Sequence, residues 1–156
     1  MSEATAAAKR RLEEVVSFFE INADAQVAET DEGIELEIEA SPATPRLIGH
    51  HGETLRAIEY LVNQMVKQVD GSAPRVLVDV AGYRRGRREA LELMAAEVGR
   101  RVVETGQAEE LKPMSPAERR IVHMALRELP GIETESVGEL RGRRIVVRPL
   151  SSGDAQ

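Results

Sequence analysis

All three histidines of this 156-residue chain fall in two short segments, and those segments come nearest to chemistry. The first is Gly49-His50-His51-Gly52 and the second is Arg119-Arg120-Ile121-Val122-His123. Taken as a catalytic set, His50, His51 and His123 with Glu53 or Glu118 would bind a metal ion and cleave RNA. The spacing argues against that. His50 and His51 are adjacent, and adjacent side chains usually diverge, whereas dedicated helical metal sites place histidines at i, i+4. No Asp/Glu array suited to a two-metal centre accompanies them. Phosphate contact fits better, because a Gly-x-x-Gly turn lets a nucleic-acid backbone approach the chain closely. It also leaves the amides that open the following helix to face phosphates. Histidine is largely uncharged at pH 7, so this loop attracts phosphate less than one carrying Lys or Arg. The plainer alternative is a helix–helix turn.

The second segment lies on a helix whose start is marked by Ser115-Pro116-Ala117-Glu118, a capping box with proline at the first helical position. At about 100° per residue, Arg119, Arg120, His123 and Arg127 fall within an arc of roughly 100°. Ala117, Ile121, Val122, Ala125, Leu126 and Leu129 fill the opposite side. Arginine brings planar, multidentate donors to phosphate, and both Arg and His stack on unpaired bases. Two structural readings compete with this one. The face is only a solvated basic surface with a helix-capping role for one arginine, or Arg119 pairs with Glu118 or a neighbouring strand while His123 fills a gap.

The elements that position these segments follow from periodicity. Leu12, Val15, Val16 and Phe19 predict a helix over 9–20. Strands are expected at 25–29 and 34–40; in the second, Ile34, Leu36 and Ile38 alternate with Glu35, Glu37 and Glu39. A short helix over 44–48 precedes the Gly-x-x-Gly turn. A long helix follows it, striped by Leu55, Ile58, Leu61, Val62, Met65, Val66 and Val69. A third strand at 75–80 closes an α+β unit, with Gly82 at the seam. Beyond it come a helix over 84–104, a short strand at 110–114, the capped helix, and strands at 132–137 and 144–148. Residues 151–156 are expected to form a disordered tail.

Composition limits the function. The absence of cysteine excludes thiolate zinc sites, cysteine nucleophiles and disulfides, and suits a reducing cytosol. No signal-like apolar core and no membrane-length apolar run is present, so a cytoplasmic location is expected. A net charge of −6 argues at first against nucleic acid. The distribution reverses that argument. Residues 1–80 hold 7 Lys+Arg against 15 Asp+Glu, a balance of −8, and residues 81–156 hold 14 against 12, a balance of +2. Local arginine clusters at 84–88, 119–120 and 141–144 decide where a polyanion docks, although any one of them can simply solvate a helix face. The four aromatics, Phe18, Phe19, Tyr60 and Tyr83, are too few for a sheet-based base-stacking platform.

The helix–strand–strand–helix–Gly-x-x-Gly–helix–strand order of residues 9–80 resembles a KH domain. That resemblance implies a loop at Gly49, His50, His51 and Gly52 that clamps the sugar-phosphate backbone beside an apolar groove for bases. Glu118-Arg119-Arg120-Ile121-Val122-His123, Pro130-Gly131-Ile132 and Arg144-Ile145-Val146-Val147-Arg148-Pro149 resemble the R-three-H domain, which binds single-stranded nucleic acid. Joined with Ile48-Gly49-x-x-Gly52-x-x-Leu55, Asp79-Val80-x-Gly82-Tyr83-Arg84, Glu104-Thr105-Gly106 and Leu111-x-Pro113-Met114, the pattern is similar to the bacterial Jag/KhpB family of RNA-binding proteins. Members often carry a further N-terminal domain and linker. This chain starts almost at the KH unit, which implies a short natural form or a shortened one.

The expectation is therefore an α+β chain. A KH domain spans 1–82, and an RxxxH domain with its connecting helix and a short mixed or antiparallel sheet spans 83–150. It is expected to bind single-stranded RNA, or single-stranded DNA, without catalysis, metal or cofactor, through the KH loop and through Arg119, Arg120, His123 and Arg127. Family resemblance implies an RNA-chaperone or post-transcriptional role affecting cell shape and envelope synthesis, with the small KH protein KhpA as a partner. The alternatives are a metal-dependent ribonuclease and a protein-interaction scaffold.

Overall fold

Alternation along a six-residue strand sets the first sheet. In β2 (Gly33–Ile38), Ile34, Leu36 and Ile38 are buried while Glu35 and Glu37 are exposed. A computed structural model describes residues 2–150, so the tail expected at 151–156 lies outside the described residues. The chain is mixed α+β and divides into two compact units, Met1–Arg84 and Arg85–Gln156.

In the first unit, β1 (Gln26–Thr30) pairs antiparallel with β2, and β2 pairs parallel with β3 (Val76–Val80), Leu36 lying opposite Val78. One face of this sheet carries Ile34, Leu36, Ile38, Val76, Val78 and Val80 into a core. Helix α1 (Glu3–Ser17) adds Leu12 and Val16, and α3 (Glu53–Val69) adds Leu55, Ile58, Val62 and Val66. Between β2 and α3 along the chain comes the short α2 (Thr44–Ile48), which sinks Leu47 into the same core.

Helix α1 begins six residues before the expected start. Its N-cap is Ser2, whose hydroxyl accepts the Thr5 amide at 3.2 Å. The segment Ala4–Ala8 has no apolar period to read, yet alanine has the highest intrinsic helix propensity. The helix stops before Glu20, which adopts a left-handed φ of 62°.

The free edge of β3 is closed by side chains. Asn63 donates Nδ2–H to the Val76 carbonyl at 2.7 Å and accepts the Val76 amide at 2.9 Å. Glu59 accepts the Val78 amide at 3.0 Å, and Arg84 donates Nε–H to the Val78 carbonyl at 3.0 Å. Arg84 also pairs with Glu59. The first arginine of the 84–88 cluster is thus part of the fold.

The second unit packs α4 (Tyr83–Thr105) and α5 (Pro116–Arg127) against an antiparallel sheet ordered β4–β6–β5. Its strands are β4 (Glu109–Glu110), β5 (Ile132–Val137) and β6 (Arg144–Pro149). The core joins Leu91, Ala95, Val98 and Val102 of α4 to Val122 and Leu126 of α5 and to Ile132, Ile145 and Val147 of the sheet. β4 is shorter than the strand expected at 110–114. Leu111 and Met114 still donate to the carbonyls of Ile145 and Arg143 at 2.9 and 3.2 Å. Pro113 has no amide to continue the ladder. On the outer face, Arg144 pairs with Glu110 at 2.7 Å and Arg148 with Glu135 at 2.5 Å. Val146, which lies opposite both glutamates in the register, is buried.

Candidate nucleic-acid interface

The Gly-x-x-Gly loop is a single tight turn between α2 and α3. Gly49 has φ 69° and ψ −174°, and a Cβ there would lie 2.1 Å from the Thr54 hydroxyl oxygen. Gly52 is left-handed at φ 75°, and a Cβ on it would come within 2.9 Å of the Tyr83 ring. Both glycines are therefore required twice over, by backbone angle and by space. Between them His51 also takes a left-handed conformation, φ 50° and ψ 31°, and its carbonyl accepts an Arg56 Nη1–H at 2.9 Å.

This turn departs from the sequence-based picture in three ways. The two imidazoles do not diverge, since their rings meet edge to face with centroids 3.9 Å apart. The loop is only partly open: His50 is exposed, His51 is half-buried and Gly52 is buried. The Gly52 amide donates to the Gly49 carbonyl at 3.3 Å and the Glu53 amide to the His50 carbonyl, so these two donors at the start of α3 are already engaged. The open side of the turn is the His50 side. Among the described residues no group of three or more His, Cys, Asp or Glu could hold a metal ion.

Helix α5 starts where its capping box dictates. The Ser115 hydroxyl accepts the Glu118 amide at 3.3 Å, and Glu118 Oε2 accepts the Ser115 amide at 2.9 Å. The other oxygen of Glu118 accepts Arg87 Nε–H from α4 at 2.8 Å. Burial pushes the Glu118 carboxyl upward, but the Ser115 amide and the Arg87 guanidinium together outweigh it and hold the group below its ordinary value.

The four side chains expected on one face of α5 have separate roles. Arg119 is half-buried and donates Nη1–H to the Met114 carbonyl at 2.8 Å, which ties the segment before the helix to its first turn. It pairs with neither Glu118 nor a strand. His123 is exposed, with Nδ1 2.6 Å from the Thr134 hydroxyl of β5. Arg120 and Arg127 are exposed.

The structure thereby sorts the arginines of the second unit. Arg87, Arg100, Arg101, Arg144 and Arg148 hold carboxylates, Arg119 holds a backbone carbonyl, and Arg143 holds the Ser136 hydroxyl. Among the described residues, Arg85, Arg88, Arg120, Arg127 and Arg141 are left without an ion pair or hydrogen bond. Arg88 is legible in the sequence only as one member of a cluster. That it lines one open surface groove with Arg120 of α5 has no local sequence signal.

With this geometry in place, residues 89–149 match the model of the R-three-H domain. The "RNA-binding protein KhpB" of Bacillus subtilis (strain 168) is 31% identical over 142 residues, covering 90% of this chain and 68% of that protein. The chain belongs to the KhpB family. Its counterpart in Clostridium symbiosum is 38% identical over 101 residues, covering 65% of this chain and 46% of that protein. A third, from Streptococcus pneumoniae, is 31% identical over 102 residues and matched over 31% of its length. The chain thus spans about half the length, or less, of two of these relatives. No helix among the described residues is long and apolar enough to cross a membrane.

Proposed function

We propose that the chain binds single-stranded RNA, without catalysis, through the outer face of α5 assisted by the Gly49–Gly52 loop. One observation carries this reading: Arg120 and Arg127 stand exposed and unengaged on the helix that also presents His123, while most other arginines of the unit are committed internally. Unengaged guanidiniums are the groups that exchange counterions for phosphates. His123 is held to β5 through Thr134 and offers a fixed ring edge beside them. Arg119 acts as a positioning residue for the start of the helix.

The first unit is read as a KH domain over 1–82 and the remainder, 83–150, as the RxxxH domain. The helix–strand–strand–helix–turn–helix–strand order and the Gly49–Gly52 turn support the first assignment. In this reading His50 meets the sugar-phosphate backbone, and Gly49, His51 and Gly52 shape the turn. A cytoplasmic RNA-chaperone role that affects cell shape and envelope synthesis, with KhpA as partner, is the extension that family membership favours.

The experiment is to sequence RNA crosslinked to the full chain in cells, alongside binding of a single-stranded RNA oligonucleotide in vitro with and without a chelator. Recovered RNA and chelator-insensitive binding support the reading. RNA cleavage that depends on added metal supports a ribonuclease instead, and absence of binding leaves a protein scaffold.

A further inference from the structure

The turn between β5 and β6 displays a side chain that its own unit does not bury. Leu140 is 93% exposed, more than any other large apolar side chain among the described residues, and it sits at a left-handed φ of 47°. That region is unfavourable for a bulky residue, and strained positions held by their surroundings cluster at binding sites. Here the surroundings do hold it. The Gly142 amide donates to the Glu139 carbonyl at 3.0 Å, and the Arg143 amide to the Leu140 carbonyl at 3.3 Å. Gly138, at φ 86°, packs so closely that a Cβ on it would lie 2.8 Å from the Gly142 carbonyl oxygen. Val137 and Arg144 close the turn as the last ladder pair.

The place of this tip relative to α5 follows from the register. Thr134 and Ser136 lie opposite Val147 and Ile145, whose side chains enter the core, so both face the helices. Thr134 meets His123 there, and Ser136, nearer the tip, accepts Arg143 Nε–H at 3.0 Å. The Arg143 carbonyl accepts the Met114 amide, and the Met114 carbonyl holds Arg119. One strip therefore runs from the first turns of α5 along β5 to the tip. The tip itself is cationic. Arg141 is exposed and unengaged among the described residues, Arg143 holds only a hydroxyl through its side chain, and Glu139 is the one carboxylate in 138–143.

We propose that Leu140 is a wedge that enters between two bases of the strand bound on α5, while Arg141 and Arg143 take the phosphates on either side. This rests on the reading of α5 as the RNA-facing helix and adds a second contact to it. Apolar side chains used in this way part adjacent bases, and guanidiniums beside them neutralise the backbone. The turn, not the RNA, fixes the wedge, so little order is lost on binding. Leu140 is also the only apolar side chain in 138–143. One side chain fills one base step but gives a lipid surface little to hold.

The test is binding of the full chain to an octaadenylate RNA with two adjacent 2-aminopurines at its centre, whose fluorescence rises when stacked neighbours part. Wild type is expected to raise it several-fold at saturation. Leu140→Asn and Leu140→Gly both suit a left-handed φ and should match or exceed the wild-type melting temperature. Each should bind about tenfold more weakly, the scale of leaving one leucine side chain exposed, and should lose the fluorescence rise. Leu140→Met, still apolar, should keep most of both. Wild type binding without the rise, or polar variants equal to it in affinity and fluorescence, overturns the wedge while RNA binding by α5 still stands. Phosphatidylcholine–phosphatidylserine vesicles that bind wild type but not Leu140→Asn, with no rise on RNA, assign the tip to a lipid surface and also overturn it. Failure of wild type to bind the RNA overturns both.

Discussion

Glu118 is shared between two helices: one carboxylate oxygen takes the Ser115 amide that caps α5, and the other takes the Arg87 guanidinium of α4. The Glu118 side chain is 6% exposed and that of Arg87 30%, so the carboxylate itself is largely removed from solvent. Glu118→Gln should lower stability by about 1–3 kcal/mol at neutral pH, the scale of a lost charge-assisted bond at a cap. The folded carboxyl lies below its ordinary value, so its contribution is present above the unfolded pKa and lost as pH falls through the folded one. The gap in melting temperature between wild type and Glu118→Gln should therefore be widest near pH 7 and narrow below about pH 4. A gap independent of pH would refute the ionic role.

Arg119 and His123 should separate under paired melting and binding measurements. Arg119→Ala removes the bond to the Met114 carbonyl and should cost about 1–2 kcal/mol of stability, with a loss of affinity that follows from the displaced helix start. His123→Ala should leave the melting temperature nearly unchanged, because the ring is exposed, and weaken RNA binding by about 1–3 kcal/mol.

In the first unit, His50→Asp is the clean probe of the loop. His50 is exposed, and a carboxylate on the open side of the turn should repel phosphate and reduce RNA binding without unfolding the unit. Gly49→Ala should behave differently. Its new Cβ meets Thr54 at a left-handed position, so it should destabilise the unit by about 1–3 kcal/mol. Equal binding by His50→Asp and wild type would reduce the loop to a turn.

Salt titrations should distinguish the two arginine populations. Affinity should fall linearly with salt on logarithmic axes, and removing Arg120 or Arg127 should reduce the slope by about 0.7 each. Arg100→Ala breaks only an exposed pair with Glu104 and should change neither slope nor stability by more than about 0.5 kcal/mol. A slope that responds equally to every arginine would contradict the division.

Helix α5 and strand β2 are legible in the sequence because each is specified locally: a capping box with Pro116 in one, strict alternation of Ile, Leu and Glu in the other. On α5, Arg120, His123 and Arg127 are exposed while Val122 and Leu126 are buried, and Arg119 is half-buried between them. The chemistry of those four is not legible. Arg119 is committed by a carbonyl five residues back, and the path of residues 111–114 that presents it depends on bonds to β6. A Gly-x-x-Gly pattern suggests free amides at the opening of α3, but the turn uses two of them itself. The surface groove lined by residues of both α4 and α5 depends on how the two helices meet, which no window on either one encodes.

The side-chain seal along β3 also bears on how the first unit coexists with its own copies. A bare sheet edge is a template for another chain, and a strand as apolar as Val76–Val80 would be a strong one. Asn63, Glu59 and Arg84 occupy the donors and acceptors of Val76 and Val78 that a foreign strand would need. Protection against edge-to-edge aggregation thus comes from α3 and from Arg84, whose amide is itself held by Asp79 of the strand at 3.3 Å. Asn63→Ala should expose that template, and turbidity on heating at high protein concentration should reveal it before any loss of RNA binding does.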